Sequence, residues 1–227
     1  MNLAALISGG KDSLYATYRA QQAGHKITHL ITFVSENPES YMFHTANIHL
    51  VDTIANLTGL PLVKIPTKGE KEKELDDIKK ALAELPVDGI TTGAIASVYQ
   101  KSRIDNICND LGLASIAPLW GQDPEHVLRD MLNDGFVVMI VAVAAPPLDA
   151  GWLGRTIDER CIDELVQLNR KYGIHPLGEG GEYDSLVLDC PLYSKRLIID
   201  DAEKQWDEKT QSGVLSIRQA HTEKRSF

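Results

Sequence analysis

The sequence predicts an α/β fold: a parallel five-stranded sheet with helices on both faces, followed by a smaller C-terminal α+β domain. Strand-like and helix-like segments alternate strictly over residues 1–120, which is typical of a parallel sheet covered by helices. A glycine-rich turn directly follows the first apolar run. The pattern changes after Trp120 and Gly121, so we predict two domains, residues 1–120 and 121–227.

Each element of the first half has its own signal. Short apolar runs predict strands at residues 3–7, within 25–35, and at 61–66, 89–95 and 114–119. Apolar residues at helical spacing predict helices from Leu14 onward and at 41–57, 70–85 and 96–111. Gly59 and Gly112 follow the second and fourth of these helices, as C-terminal glycines do.

The second half has a less regular pattern. Helices are predicted at residues 124–134 and 157–172. The apolar run at 136–145 is shorter than the roughly 20 residues that a membrane span needs, so we predict a buried strand there. Short strands are predicted at 185–188 and 197–200. The polar tail from residue 206 is expected to hold a weak strand at 214–217 and a loose end.

Composition limits the function classes. The chain has 227 residues, 43% hydrophobic and 24% charged, and a formal net charge of −9, which disfavours a nucleic-acid substrate. Its three cysteines are far apart, so neither a zinc site nor a dithiol motif is indicated. No signal peptide is visible, and we expect a cytoplasmic protein that does not bind membranes.

The turn after the first strand, Ser8-Gly9-Gly10-Lys11-Asp12-Ser13, has the chemistry of a phosphate cradle. Glycines let the backbone approach an anion, and the helix start presents unpaired N–H groups with partial positive charge. Lys11 adds a mobile full charge, and the two serines add hydroxyl donors. Asp12 fits such a pocket if a cation such as Mg²⁺ bridges it to a phosphate. The alternative is an ordinary helix start capped by Asp12 and Ser13.

The glycine and lysine spacing is neither GxxxxGK[ST] nor GxGxxG. SGGKDS resembles the pyrophosphate-binding loop of the N-type ATP pyrophosphatases, the adenine-nucleotide α-hydrolase group with a Rossmann-like fold. That resemblance implies cleavage of ATP between the α and β phosphates and adenylation of a substrate. It assigns nucleotide contacts to residues 8–13: Ser8, Gly9, Gly10, Lys11, Asp12 and Ser13.

A second constellation, residues 178–185 (GEGGEYDS), places three carboxylates among three glycines. Carboxylates can hold Mg²⁺, bind an amine or ammonium ion, or act as a base. The alternative is an acidic, solvated turn that enters a strand.

Four segments in order resemble the diphthine–ammonia ligase family of the diphthamide pathway: SGGKDS (8–13), SYMFHTANIH (40–49), GAIASVYQKSRIDNICNDLGL (93–113) and GEGGEYDSLVLDCPLY (178–193). PTKGEKEKE (66–74) and PLW (118–120) also fit, and the likeness reaches about residue 200. Where the family has Glu-Thr after GGEY, this chain has Asp184-Ser185.

The family resemblance implies a reaction. ATP adenylates the carboxylate of diphthine, a modified histidine of translation elongation factor 2, and ammonia displaces AMP to form diphthamide. The implied cofactors are ATP and Mg²⁺, and the implied partners are elongation factor 2 and free ammonium. A homodimer is left open.

Site residues are assigned from this resemblance and from position at the carboxyl edge of the sheet. The catalytic set is Lys11, Asp12, Glu179 and Glu182, with Asp12 as the metal ligand. Further nucleotide contacts are Met42, His44, Gly93 and Ala94. The substrate set is Tyr99, Arg103, Gly180, Gly181, Glu182, Tyr183 and Asp184. On position alone, Met42 could equally be core, and Arg103 could be a solvated helix residue.

Two other functions stay open from the residues alone. The first is a related pyrophosphatase that adenylates a tRNA base. The net negative charge of the chain and the missing cysteine pair argue against it. The second is a nucleotide-binding sensor without catalysis, against which the acidic GEGGEY segment counts.

Overall fold

The computed structural model describes residues 1–35, 46–67 and 73–225. The chain forms two compact units. The first comprises Met1–Ser8 with Asp12–Trp120, and the second comprises Gly9–Lys11 with Gly121–Phe227. Three residues of the glycine-rich turn therefore cluster with the C-terminal unit.

The first unit contains a five-stranded parallel sheet in the order β3-β2-β1-β4-β5. Its strands are β1 (Asn2–Leu6), β2 (Lys26–Ser35), β3 (Leu62–Thr67), β4 (Gly89–Thr91) and β5 (Ala114–Ile116). Its helices are α1 (Lys11–Gln22), α2 (Val51–Thr58), α3 (Lys73–Ala83) and α4 (Val98–Leu111). The predicted parallel α/β architecture is confirmed.

One face of this sheet packs against α3 and α4. The buried cluster there joins sheet residues to helix residues that are less than a tenth exposed: Ala4, Ile31, Phe33, Ile65, Ile78, Leu82, Ile90, Ile104, Ile107 and Cys108. Burial of this many aliphatic side chains supplies the main driving force for the unit. It also fixes the strand ends at which the predicted site lies.

The helix predicted over residues 41–57 is confirmed from Ile48 onward. Residues 41–45 lie outside the described residues. A 3-10 turn at Ile48–Leu50 then leads into α2, which ends at Thr58 with Gly59 in the left-handed conformation. Asn47 precedes the turn with φ 63°, a left-handed conformation that a continuous right-handed helix does not allow. Among the described residues 46–58, the helical conformation therefore begins at Ile48.

The second unit combines two helices with an antiparallel sheet in the order β7-β6-β9-β8. The helices are α5 (Pro124–Asn133) and α6 (Glu159–Tyr172), and a 3-10 turn forms at Ala150–Trp152. The strands are β6 (Val137–Val143), β7 (Tyr183–Asp189), β8 (Arg196–Asp207) and β9 (Ser212–Glu223). The separate α+β unit is as predicted, and the apolar run at 136–145 supplies β6.

The tail is more ordered than expected: the strand predicted at 214–217 extends over Ser212–Glu223, and residues 226–227 lie outside the described residues. β8 and β9 form a hairpin of two twelve-residue strands that pair from Arg196↔Glu223 to Asp207↔Ser212. An ion pair crosses the hairpin from Arg218 to Glu203, and a hydrogen bond joins His221 Nδ1 to Asp200 at 2.8 Å. Polar residues cover much of both strands, so the apolar alternation by which strands are recognised is weak here.

Within residues 1–35, 46–67 and 73–225, we find no helix with the length and apolar character to traverse a bilayer.

Candidate functional site

The order of the parallel sheet reverses between β1 and β4, because consecutive strands lie to one side of β1 and later strands to the other. In open parallel sheets, ligands bind beyond the carboxyl ends of the strands at such a reversal. Residues 8–13 follow β1, and Gly93 and Ala94 follow β4. The topology thus places Ser8, Asp12 and Ser13 at the same edge of the first unit as Gly93 and Ala94.

Gly93 packs directly against the start of α1. A Cβ atom added to Gly93 would lie 2.6 Å from the Asp12 carbonyl carbon and 2.6 Å from the Ser13 nitrogen. Real Cβ atoms do not approach backbone this closely. Close backbone approach therefore requires glycine at position 93, and its contact with the nucleotide stays a prediction.

Local hydrogen bonds shape the turn within the first unit. The Ser8 backbone N–H donates to Ser13 Oγ at 3.3 Å, and Thr17 Oγ1 donates to the Ser13 carbonyl oxygen at 2.7 Å. Asp12 lies in the first turn of α1, where the helix presents N–H groups to an anion. The Asp12 carboxylate is the kind of oxygen ligand that Mg²⁺ binds, since Mg²⁺ commonly combines one or two carboxylates with phosphate oxygens.

Gly9, Gly10 and Lys11 belong to the second unit, and β7 holds them. The Val187 N–H donates to the Gly9 carbonyl oxygen at 3.1 Å. The Lys11 backbone N–H donates to Ser185 Oγ at 3.1 Å, and Ser185 is 7% exposed. Two motifs that are far apart in sequence, the glycine-rich turn and GEGGEYDS, are therefore joined by hydrogen bonds.

The Lys11 side chain is only 2% exposed, so it is not the mobile charge expected from the sequence. Its Nζ donates to the Leu177 carbonyl oxygen at 2.7 Å and lies 4.8 Å from the centroid of the Tyr183 ring. A cation at this distance from an aromatic face is attracted by the ring quadrupole. Tyr183 is itself fixed, because its hydroxyl donates to the Pro176 carbonyl oxygen at 2.7 Å.

Glu182 is a buried carboxylate, 8% exposed. Its Oε1 accepts the His175 backbone N–H at 2.6 Å, and its carbonyl oxygen accepts the Ala144 N–H at 2.9 Å. Its Oε2 has no hydrogen-bond partner among the described residues. The carboxylate lies against Gly180, where an added Cβ would be 2.6 Å from Oε1 and 3.0 Å from Oε2.

The other residues of the acidic segment are more open: Glu179 is half-buried, while Gly180, Gly181 and Asp184 are exposed. Among the described residues, no group of three or more His, Cys, Asp or Glu side chains is placed to hold a metal ion. The assignment of Mg²⁺ to Asp12 therefore stays a prediction that depends on phosphate oxygens as further ligands.

At the start of α4, the Arg103 guanidinium lies 4.2 Å from the centroid of the exposed Tyr99 ring. Lys101 is engaged elsewhere, with Nζ 2.5 Å from Asp105 Oδ2. Burial acts to raise the pKa of Asp105, but hydrogen bonds from Lys101 and Ser115 outweigh it, and the pKa lies below its usual value. Arg103 and Tyr99 stay substrate-site predictions, whereas Lys101 has a structural role.

Met42 and His44, the remaining predicted nucleotide contacts, lie outside the described residues. Sequence reasoning missed His175, Leu177 and Ser185, which hold Glu182 and Lys11 in place. Ser185 belongs to the recognised motif and could have been included. His175 and Leu177 act through backbone groups, which no side-chain pattern reveals.

Comparison with known proteins identifies a family for this chain. The family models described as the diphthamide synthase N-terminal and C-terminal domains match residues 1–115 and 123–222. Proteins named diphthine–ammonia ligase from Homo sapiens and Danio rerio are 38% and 36% identical to this chain. The alignments cover 89% and 98% of this chain and 84% and 97% of those relatives.

A longer Schizosaccharomyces pombe protein of the same name is 35% identical over 89% of this chain and 37% of its own length. Among solved structures, a predicted subunit of tRNA methyltransferase from Methanocaldococcus jannaschii is 16% identical, with a TM-score of 0.48, over 84% of this chain and 98% of that chain. The family models and the curated relatives together show that this chain belongs to the diphthine–ammonia ligase family and is a ligase.

Proposed function

We propose that this chain amidates diphthine on translation elongation factor 2, using ATP and ammonium to form diphthamide. The carboxylate is first adenylated, with release of pyrophosphate, and ammonia then displaces AMP. The observation that carries the proposal is the hydrogen bonding of Gly9 and Lys11 to β7, because it joins the phosphate-binding turn to the acidic segment.

The chemistry requires two such segments. A carboxylate is a poor acyl donor, because its leaving group would be oxide. Transfer to the α phosphate of ATP converts that leaving group to AMP, and negative charge accumulates on the departing pyrophosphate. Donors fixed in advance where charge develops lower the barrier most effectively.

The glycine-rich turn would hold the pyrophosphate. The first turn of α1 presents backbone N–H groups, and the Lys11 ammonium group adds a full positive charge. Asp12 would hold Mg²⁺, which neutralises phosphate charge when it is bound. Met42, His44, Gly93 and Ala94 would contact the rest of the nucleotide, which makes residues 1–120 the nucleotide domain.

The acidic segment would serve the acceptor and the ammonium ion. Glu179, Glu182 and Asp184 supply carboxylates, Tyr183 with Gly180 and Gly181 shapes the loop, and Tyr99 and Arg103 offer an aromatic face and a cation for the diphthine carboxylate. Residues 121–227 would then form most of the substrate domain. We place the reaction in the cytoplasm, where elongation factor 2 works.

The test incubates the protein with ATP, Mg²⁺ and ammonium, together with elongation factor 2 that either bears diphthine or is unmodified. We expect AMP and pyrophosphate only with the diphthine form, together with a mass change in the factor of about 1 Da for carboxylate to amide. Stimulation of AMP formation by tRNA instead would point to the tRNA-adenylating alternative. ADP as the product would exclude cleavage between the α and β phosphates.

Two variants separate the two halves of the reaction. Lys11→Ala should weaken nucleotide use, because it removes a phosphate donor. Glu182→Ala should leave ATP binding intact and abolish amide formation. An unchanged amide yield in Glu182→Ala would remove that residue from the site.

A further inference from the structure

We infer that Glu182 Oε2 is the acceptor that binds the ammonium ion from which the amide nitrogen comes. This inference rests on the proposed function and adds a binding site for ammonium. It concerns one atom, whose surroundings differ from those of the other carboxylates in the same segment.

The two oxygens of Glu182 have unequal partners. Oε1 accepts the His175 backbone N–H at 2.6 Å, which fixes the plane and direction of the carboxylate. Oε2 is buried, and neither a hydrogen-bond donor nor a cation pairs with it in residues 1–35, 46–67 and 73–225. A buried acceptor with no donor costs free energy, and a ligand that brings N–H groups and positive charge offsets that cost.

The space around the carboxylate favours a small ligand. Gly180 lies so close that an added Cβ would be 3.0 Å from Oε2 and 2.6 Å from Oε1. An ammonium ion is about the size of a water molecule and donates N–H groups in every direction. A quaternary ammonium group is larger and has no N–H to donate, so it cannot satisfy Oε2.

A divalent metal ion is the other cation that such an oxygen could attract. No group of three or more His, Cys, Asp or Glu side chains in the described parts of the chain is placed to hold one. Mg²⁺ needs six ligands in near-octahedral geometry and gives up its waters reluctantly. The close approach of Gly180 to the carboxylate therefore favours the monovalent, hydrogen-bonding ion.

The proton balance then follows. Ammonium donates one N–H to Oε2, and Glu182 takes that proton as the nitrogen lone pair attacks the acyl carbon of the adenylate. The C–N bond forms, and the bond between the acyl carbon and the AMP oxygen breaks, with its electron pair leaving on AMP. The nitrogen loses its second proton to solvent, which gives the neutral amide.

The test measures amide formation against ammonium concentration in the wild-type protein and in Glu182→Gln. Glutamine keeps the oxygen that accepts from His175 but presents an NH₂ group where ammonium would donate. We expect kcat/KM for ammonium to fall about 100-fold, because a charge-assisted hydrogen bond and the proton acceptor are both lost. Exchange of pyrophosphate into ATP, which reports adenylation alone, should stay within about twofold.

Hydroxylamine provides a second readout, since it is neutral at pH 7 and needs no deprotonation before attack. Glu182→Gln should form the hydroxamate at close to the wild-type rate. Glu182→Asp, which keeps the charge, should retain more ammonium activity than Glu182→Gln. The exposed Glu223→Gln is the matched control and should match the wild type.

Equal dependence on ammonium in Glu182→Gln and wild type would overturn the inference while leaving the ligase proposal standing. Absence of diphthine-dependent pyrophosphate exchange in the wild type would instead remove the proposed function itself. Equal losses with hydroxylamine and ammonium would assign Glu182 a structural role and also overturn the inference.

Discussion

Lys11 Nζ donates a hydrogen bond to the Leu177 carbonyl oxygen at 2.7 Å, 166 residues further along the chain. The same ammonium group lies 4.8 Å from the centroid of the Tyr183 ring. A single buried cation thus ties the glycine-rich turn to the segment that carries Glu182. Lys11 accordingly has two roles, one in stability and one in the proposed phosphate binding.

Replacing Lys11 with Met should therefore lower both stability and ATP binding. Met fills similar volume but leaves the Leu177 carbonyl oxygen without this donor, which we expect to cost about 1–3 kcal/mol of unfolding free energy. Urea denaturation measures the first effect, and titration with ATP measures the second. The exposed Lys209→Met serves as the control and should change neither. Full stability in Lys11→Met would show that the bond to Leu177 contributes nothing.

Gly93→Ala should disturb the start of α1. The new Cβ would lie 2.6 Å from both the Asp12 carbonyl carbon and the Ser13 nitrogen, and backbone cannot give way as a flexible side chain can. We expect a loss of about 2 kcal/mol or more of unfolding free energy and weaker ATP binding. Urea denaturation and ATP titration provide the two readouts.

Gly24→Ala is the comparison for that experiment. Gly24 has φ +85°, but an added Cβ there meets nothing within 4 Å. Gly24→Ala should therefore lower the free energy of unfolding by only about 1 kcal/mol, the cost of backbone strain, and should preserve ATP binding. If both variants behaved alike, close approach at Gly93 would not be what the site requires.

The fold could be predicted from sequence where the local signals were strong. Strict alternation of strands and helices identified the parallel sheet, and residues 136–145 identified β6. Only residues 197–200 and 214–217 of the β8–β9 hairpin were predicted as strand, because strands such as Arg196–Asp207 are exposed and polar along much of their length. Cross-strand pairs such as Arg218 with Glu203 stabilise it, and such pairs are invisible until the register is known.

The candidate site, like the fold, could be predicted only in part. Glycine and charge patterns pointed to Lys11 and Glu182 as functional residues. Their surroundings could not be predicted, because Leu177 contributes a carbonyl oxygen and His175 a backbone N–H. Every residue other than proline carries both groups, so only the folded chain shows which of them reach the site.

The stabilising contribution of Glu164 should be lost in acid. A hydrogen bond from Arg155, with Nη1 2.5 Å from Oε2, lowers the pKa of Glu164 below its usual value of 4.5. The stabilising contribution is therefore complete above the unfolded-state pKa and disappears as the pH falls through the lower, folded-state pKa. Urea denaturation between pH 7 and pH 3 should show a gap between wild type and Glu164→Gln that closes in acid.

The exposed Glu223→Gln should show no such gap at any pH in that series. A gap for Glu164→Gln that stayed constant down to pH 3 would mean that packing, and not ionisation, sets the contribution of Glu164.

The three cysteines should be unreactive in the folded protein. Burial is the main cause that raises the pKa of Cys108 and Cys161 to about 11 and that of Cys190 to about 12. The thiolate is the reactive form, so a disulfide reagent at pH 8 should label almost none of them in the native state and all three in denaturant. Lys209→Cys provides an exposed thiol that should react at once. Rapid labelling of a native cysteine would contradict the burial of that residue.

Arg129 joins α5 to α6, since its guanidinium pairs with Glu125 at 2.9 Å, with Asp163 at 2.7 Å and with Glu159. A network around one arginine is worth more than an isolated surface pair, so Arg129→Met should cost about 1 kcal/mol of unfolding free energy at low salt. Because the side chain is 31% exposed, added salt should screen these pairs and narrow the difference from wild type. Urea denaturation in 20 mM and 500 mM NaCl measures both effects.

Arg218→Met, which removes only the single pair with Glu203, is the control and should cost less unfolding free energy than Arg129→Met. A cost for Arg129→Met that is the same at both salt concentrations would show that its aliphatic stem, and not its charge, holds the two helices together.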